Sequence, residues 1–260
     1  MSTDTATVTR VTATLVAGGL YHDIDFARLE LLKLLAEHDD VRVRVQPDFE
    51  DYDAIVESDF LVSYTSDVRP SEEAQKAIRA WVEGGGRWVA LHGTNAALDV
   101  GMPNGVEAPR CLPLWMDTLG SQFIAHPPIQ PYPVEVTAPD HWLVEGIEQF
   151  ETDDELYLSE YHDRDQLQVL LHTTWSGEAK GFAEHDWSLE TVGTDHHPIV
   201  YIRPLGEGAV LYNTLGHARG HYDMVPLMDY YPRVERCAWE HSEYHELLRR
   251  SFRWARGETS

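Results

Sequence analysis

Lysine is nearly missing from this chain: it stands only at positions 33, 76 and 180. With arginine it makes 20 basic residues against 44 acidic ones, a formal charge of -24. A surface of that sign repels phosphate backbones and anionic lipid, so neither nucleic acid nor membrane is an expected partner. The acidity itself reads as solubility, or as adaptation to a salty cytoplasm. Cysteine is as scarce. Cys111 and Cys237 are the only two, too few for a disulfide framework or a multi-cysteine zinc site. No apolar run approaches the ~18 residues of a membrane helix. Met1 to Arg10 is polar and has no apolar signal core. A cytoplasmic protein is therefore expected. Several motifs are missing too. Gly-x-Ser-x-Gly does not occur, which leaves no sign of a serine nucleophile. Gly84-Gly85-Gly86 has no Lys-Ser/Thr after it, and Gly18-Gly19 is too short for a dinucleotide fingerprint.

What is present is a core and a regular order of elements. Hydrophobic residues make up 43% of the 260, enough for a folded domain. Val8 to Ala17 reads as a strand, Gly18 to Asp23 as a loop, and Asp25 as the cap of a helix to about Glu37. Val41 to Val45 alternates with arginine as a half-solvated strand, and Phe60 to Tyr64 is the third. Pro70-Ser71-Glu72-Glu73 opens a helix to Glu83, with serine as cap and acids at the positive end of its dipole. The triple glycine stops it, and Arg87 to Leu91 has the apolar character of a central parallel strand. His92-Gly93-Thr94-Asn95 then turns toward another helix. Alternating strands and helices predict a parallel, doubly wound sheet whose ligands bind at the carboxyl edge.

Beyond Leu98 the pattern loosens. Gly101 to Pro113 reads as a long loop, Leu114 to Gly120 as a short helix, and Phe123 to Pro128 as a loop carrying His126. Strands are expected at Pro133 to Thr137 and Val169 to His172. Gly206-Glu207-Gly208 marks a hairpin between Ile199–Ile202 and Ala209–Tyr212. The last helix runs from about Ser242 to Arg256. With no repeat and no clean linker, one domain is expected over 1–260, with about 1–7 a disordered tail.

The chain has 14 histidines. His92 and His217 end strands, while His22 and His126 lie on loops beside short apolar segments. One histidine in such a place is usually a hydrogen-bonded structural residue. Four of them, together with Asp154 and Glu155, point to chemistry. Imidazole titrates near neutrality and suits general acid–base work, and a neighbouring carboxylate can hold its tautomer. That mix fits proton shuttling on a polar, uncharged substrate such as a sugar. The loop after the first strand and the turn after the fourth would face each other across one cleft. That makes Tyr21, His22, Asp23, Thr94 and Asn95 candidate substrate-binding residues, with Asp154 and Tyr157 from the acidic block. Zinc is the alternative: neutral imidazole is a common ligand, and the set would come from His22, His92, His126 and His217. The i, i+4 pairs His217/His221 and His241/His245 are weaker, because neither has the glutamate of the protease motif.

In order, Gly84-Gly85-Gly86-Arg-Trp-Val-Ala-Leu-His92-Gly, Phe123-Ile-Ala-His126-Pro127, Asp154-Glu155-Leu-Tyr157 and Gly206-Glu-Gly-Ala-Val-Leu-Tyr-Asn-Thr-Leu-Gly216-His217 resemble the ThuA-like, trehalose-utilisation family. The likeness covers about residues 10 to 256. It implies a class I glutamine amidotransferase-like fold: α/β, flavodoxin-like, doubly wound, with a mostly parallel sheet and an added β-hairpin. It also implies carbohydrate metabolism, often of keto-disaccharides or glycosides. True amidotransferases carry a cysteine at the strand-to-helix elbow. Here that position is His92, so glutamine hydrolysis through a thiolate is not expected. The segments 101–113 and 224–237 match nothing in the family pattern. The expectation is an enzyme on a keto-sugar, with His92, His126 and His217 exchanging protons and Glu155 as their partner. It needs no cofactor unless zinc is bound, and a homodimer is expected only as a base rate. The rival readings are a non-catalytic sugar-binding protein, with Trp115, Trp142 and Trp175 free to stack on sugar rings, and a metal-assisted hydrolase.

Overall fold

The computed structural model describes residues 10–103, 105–183 and 186–259. The expected tail, and Val8 at the start of the first strand, lie outside them. Strand β1 (Val11–Gly19) leads to helix α1 (Ile24–Leu35), β2 (Val41–Gln46), the short α2 (Tyr52–Val56), β3 (Phe60–Ser66), α3 (Glu72–Glu83) and β4 (Arg87–Leu91). β2, β1, β3 and β4 lie side by side in that order, all parallel. β3 is buried along its whole length, as a strand covered on both faces must be. Ser71 caps α3 through the N–H of Ala74. Ala74, Ile78 and Val82 recur every fourth residue on its buried face.

Helix α1 is capped by Asp23 rather than Asp25: the Asp23 carboxylate accepts the N–H of Phe26. Asp25 lies one residue inside the helix and pairs outward with Arg28. α2 has no counterpart in the sequence reading, since five residues are too few to show a helical period. The turn after β4 makes a single 3₁₀ turn, His92–Asn95, and the chain is extended again at Ala96. Glycine, threonine and asparagine are poor helix formers, and the Thr94 hydroxyl bonds back to the Leu91 carbonyl at 2.8 Å.

The expected long loop instead holds β5 (Asp99–Met102) and β6 (Gly105–Glu107), which pair with each other. α4 (Pro113–Leu119) follows. β7 (Ser121–Ala125) pairs antiparallel with β10 (Leu158–Tyr161), so Phe123 to Ala125 is strand, not loop. Its partner lies far along the chain, and no local pattern announces it. The remaining elements are β8 (Tyr132–Val136), β9 (Phe150–Thr152), β11 (Gln168–Thr174), α5 (Leu189–Val192), β12 (His196–Leu205), β13 (Gly208–Asn213) and α6 (Ser242–Ala255).

The main sheet has 9 strands in the order β2-β1-β3-β4-β13-β12-β11-β8-β9. It is parallel through β13 and antiparallel from β12 onward. The hairpin expected around Gly206 is real. Its return strand, β13, is the parallel neighbour of β4 and so belongs to the centre of the sheet. Apolar side chains pack on both faces. Leu31, Val62, Leu91 and Phe252 lie on one side, and Leu61, Ile78, Trp88 and Trp115 on the other. This is the doubly wound, flavodoxin-like α/β arrangement. No helix among the described residues is long and apolar enough to cross a membrane. The carboxyl ends of β1, β3, β4 and β13 share one edge, where open α/β sheets place their ligands.

The hairpin turn seats directly on the end of α3. A Cβ at Gly208 would stand 2.2 Å from the Val82 carbonyl oxygen and 2.3 Å from that of Gly86. Both obstacles are backbone. Gly208→Ala is expected to cost about 1–3 kcal/mol, lowering the thermal midpoint by roughly 2–10 °C in a denaturation scan.

Candidate functional site

The site begins at the elbow after β4. His92 has φ 45°, a left-handed conformation that costs a non-glycine residue of order 1 kcal/mol or more. Three contacts hold it there. Its Nδ1–H donates to the Thr214 carbonyl at 2.8 Å, and its own carbonyl accepts the Tyr212 hydroxyl at 2.5 Å. The third is Gly93, which packs so tightly on β3 that a Cβ would lie 2.6 Å from the Thr65 oxygen. Beyond β1, Tyr21 is also left-handed at φ 66° and turns His22 inward. The His22 Nδ1–H faces the Leu20 carbonyl at 3.2 Å.

Asp154 gathers the other pieces. Its buried carboxylate accepts the backbone N–H groups of Glu155 (2.8 Å), Gly216 (2.8 Å), His217 (3.0 Å) and Ala238 (3.1 Å). This ties the segment before β10 to the end of β13 and to the stretch ahead of α6. The next residue, Glu155, then points into a nest of imidazoles. One of its oxygens is 3.1 Å from His217 Nδ1, 3.3 Å from Arg219 Nη2 and 3.5 Å from His126 Nε2. The other is 3.5 Å from His92 Nε2 and 3.7 Å from His22 Nε2. His22 Nε2 and His92 Nε2 are 2.9 Å apart, and the Tyr157 hydroxyl is 3.2 Å from His92 Nε2. His217 Nε2 meets Glu235 at 3.0 Å, and Arg219 meets the same oxygen at 3.1 Å.

Burial and charge compete at each group. Burial alone would raise the Glu155 carboxyl, but His126 and His217 outweigh it and hold it well below the usual carboxylate range. Burial pushes the His22 imidazole down to about 3 despite the pull of Glu155, and it lowers His126 as well. Burial would also lower His217, yet Glu155 and Glu235 carry it up to about 9. At neutral pH these shifts give an ionised Glu155, a charged His217, and neutral His22 and His126.

The fold thus brings together His22, His92, His126, His217, Glu155 and Tyr157, with Tyr21 at the rim. Other candidates serve the scaffold. Asp23 caps α1 and pairs with Arg236 at 2.9 Å. Thr94 bonds within the elbow, Asn95 Nδ2 donates to Ser121 Oγ at 2.7 Å, and Asp154 holds backbone. Ring nitrogens of His221 and His245 face the carbonyls of Tyr231 and Trp239. Trp115 is buried beneath the elbow, its indole N–H donating to the Thr94 carbonyl. Neither it nor Trp142 nor Trp175 lines the cleft. Cys237 is buried, and burial with nearby Asp154 pushes its thiol up, away from thiolate character.

A cleft of about 110 Å³ opens over His22, His126, Glu155, Tyr157 and Arg219, small beside the ~300–1,000 Å³ of typical ligand pockets. Its walls are largely apolar, with Phe123, Phe182, Val106, Met224 and Leu227 among them. Val106, Met224, Leu227 and Glu235 come from the two segments that matched no family pattern, so motif reading missed them. Arg219 was missed because a lone arginine after a strand carries no signal. A wider, shallower hollow is lined by residues 177–182 and 187–189, whose one charged pair is the exposed Lys180–Glu178.

Residues 11–230 match the ThuA family, described as trehalose utilisation. No curated protein matches the chain. A ThuA-like protein from Bacteroides uniformis has the same fold, with TM-score 0.66 and 18% identity over 98% of this chain and 95% of that one. A ThuA-like protein from Parabacteroides merdae gives 0.60 and 16%, over 97% and 92%. A β-galactosidase from Rahnella sp. R3 gives 0.55 and 14%, over 95% of this chain but 31% of the longer enzyme. At such identities the structural likeness shows the fold alone.

Asp154→Ala would leave four buried N–H donors without their acceptor. At about 1–3 kcal/mol for each unsatisfied group, a loss of about 3 kcal/mol or more is expected, measurable by urea unfolding.

Proposed function

This chain belongs to the ThuA family, a trehalose-utilisation family, and on that premise we propose that it processes a keto-sugar or keto-glycoside by proton transfer at His126. A ring ketone acidifies the neighbouring C–H, so a base beside it can remove that proton. Isomerisation uses this step, and so does elimination of a glycoside followed by hydration.

The observation that carries the reading is the state of His126. Its Nδ1–H donates to the Pro127 carbonyl at 2.8 Å, which leaves Nε2 as a lone pair. Its side chain is 24% exposed in the cleft wall, and burial favours its neutral form. Glu155, 3.5 Å from Nε2, would stabilise the imidazolium formed when the proton arrives, as the acid of a triad does. Arg219, fixed by Glu155 and Glu235, offers donors to a developing oxyanion. Phe123 and Phe182 flank the His126 ring, with centroids 6.1 and 4.9 Å away, and suit the apolar C–H face of a sugar. His92 and His217 are 1% and 0% exposed. In this reading they position Glu155. The substrate is a small cytoplasmic sugar.

His126→Ala is expected to lower turnover of 3-keto-disaccharides by about 10²- to 10⁴-fold, with the thermal midpoint nearly unchanged. Full turnover in a folded variant sinks the assignment. If the unsubstituted protein binds the sugar in calorimetry but forms no product over hours, the non-catalytic binding reading replaces it.

A further inference from the structure

We propose that His22 Nε2, His92 Nε2, His217 Nδ1 and a Glu155 carboxylate oxygen form a binding site for one divalent transition-metal ion of the zinc class. The argument starts from where the protons must be. Carbonyl oxygens only accept. His22 Nδ1 faces the Leu20 carbonyl and His92 Nδ1 faces that of Thr214, so both protons sit on Nδ1. Both Nε2 atoms are then lone pairs, and they point at each other across 2.9 Å. Two acceptors do not bond to each other. The contact calls for a cation beside them, a proton on one ring or a metal ion.

The third imidazole obeys the same rule. His217 Nε2 lies 3.0 Å from the Glu235 carboxylate and keeps its proton there; the second proton, on Nδ1 toward Glu155, is the one an incoming ion would displace. Each ring therefore has its outward nitrogen anchored on an acceptor and its inward nitrogen aimed at a common point. Metal-ligating histidines are held in this way, by a carbonyl or carboxylate on the far nitrogen. The four ligand atoms lie within 4.8 Å of one another. Atoms ~2.1 Å from one ion are about 3 Å apart at right angles and about 3.4 Å at the tetrahedral angle. The separations of 2.9 Å for His22–His92, and of 3.5 and 3.7 Å from one Glu155 oxygen to His92 and His22, are near that spacing, while His217 Nδ1 lies 3.1 Å from the other Glu155 oxygen.

Three imidazoles and one carboxylate make a borderline donor set that suits Zn²⁺, Co²⁺ or Mn²⁺ rather than Ca²⁺ or Mg²⁺. His22 and Glu155 also line the cleft. A bound ion would present a free position on that side to a hydroxyl or carbonyl oxygen of the ligand. His126 lies outside the set. The site stands whether or not His126 is the base, since metal uptake is read without turnover.

The test uses tag-free protein, stripped with a chelator and then titrated with ZnCl₂, CoCl₂ or MnCl₂ by calorimetry, with metal content read by mass spectrometry. One equivalent per chain is expected, and the Co²⁺ form should show a visible d–d band. His92→Ala should weaken uptake at least 100-fold. Glu235→Gln, which only loosens the orientation of His217, should weaken it about 10- to 100-fold. His126→Ala should bind the ion like the unsubstituted chain. Where His92→Ala does not fold, His22→Gln on the cleft side must show the same loss. Uptake below a tenth of an equivalent for all three ions by folded protein overturns the proposal. So does uptake that is unchanged in the His92 and His22 variants.

Discussion

A carboxylate taken out of water must be met by donors or positive charge, or it takes up a proton. Two consecutive ones, Asp154 and Glu155, impose that demand at the same point in this fold. Asp154 is satisfied by backbone N–H groups from separate segments. Glu155 is met by the positive charge of His217 and Arg219, with His126, His22 and His92 ringed around it. The first carboxylate binds the framework and the second gathers the chemistry. The dipeptide explains why the segment before β10 docks against the end of β13, although the two are remote in the chain.

The elbow after β4 supplies the other constraint. A left-handed His92 persists because its surroundings over-determine it: a carbonyl on Nδ1, a tyrosine hydroxyl on its oxygen, and a glycine behind it with no room for a Cβ. Strain of this kind collects where a side chain must be aimed. Here it aims an imidazole whose nitrogens are both committed, Nδ1 to the Thr214 carbonyl and Nε2 to the cluster.

Around this rigid floor the cleft walls come from the least regular parts of the chain. The short β5–β6 hairpin gives Val106, and the segment ahead of α6 gives Met224, Leu227 and the Glu235 that steadies His217. The carboxyl edge of the parallel strands holds the polar groups, and the insertions shape what reaches them. Loops of this sort carry selectivity on a fixed scaffold.

Residue order alone determined the parallel half of the sheet, the capping of α3 by Ser71, the hairpin at Gly206 and the strand end at His92. Each of these is written in local periodicity or in a turn residue, and local patterns survive translation from one dimension to three. The grouping of His22, His92, His126, His217 and Glu155 was legible as a set of blocks, but not as a geometry. Only the tertiary structure decided which atom faces which. It separated His126, open to the cleft, from three imidazoles locked around Glu155. It also turned Asp23, Thr94, Asn95 and Asp154 to the scaffold, and brought in Arg219 and Glu235. The reason is physical. Those roles depend on which hydrogen-bond acceptor holds the far side of each ring, and Leu20, Thr214 and Glu235 become neighbours only when the sheet edge closes.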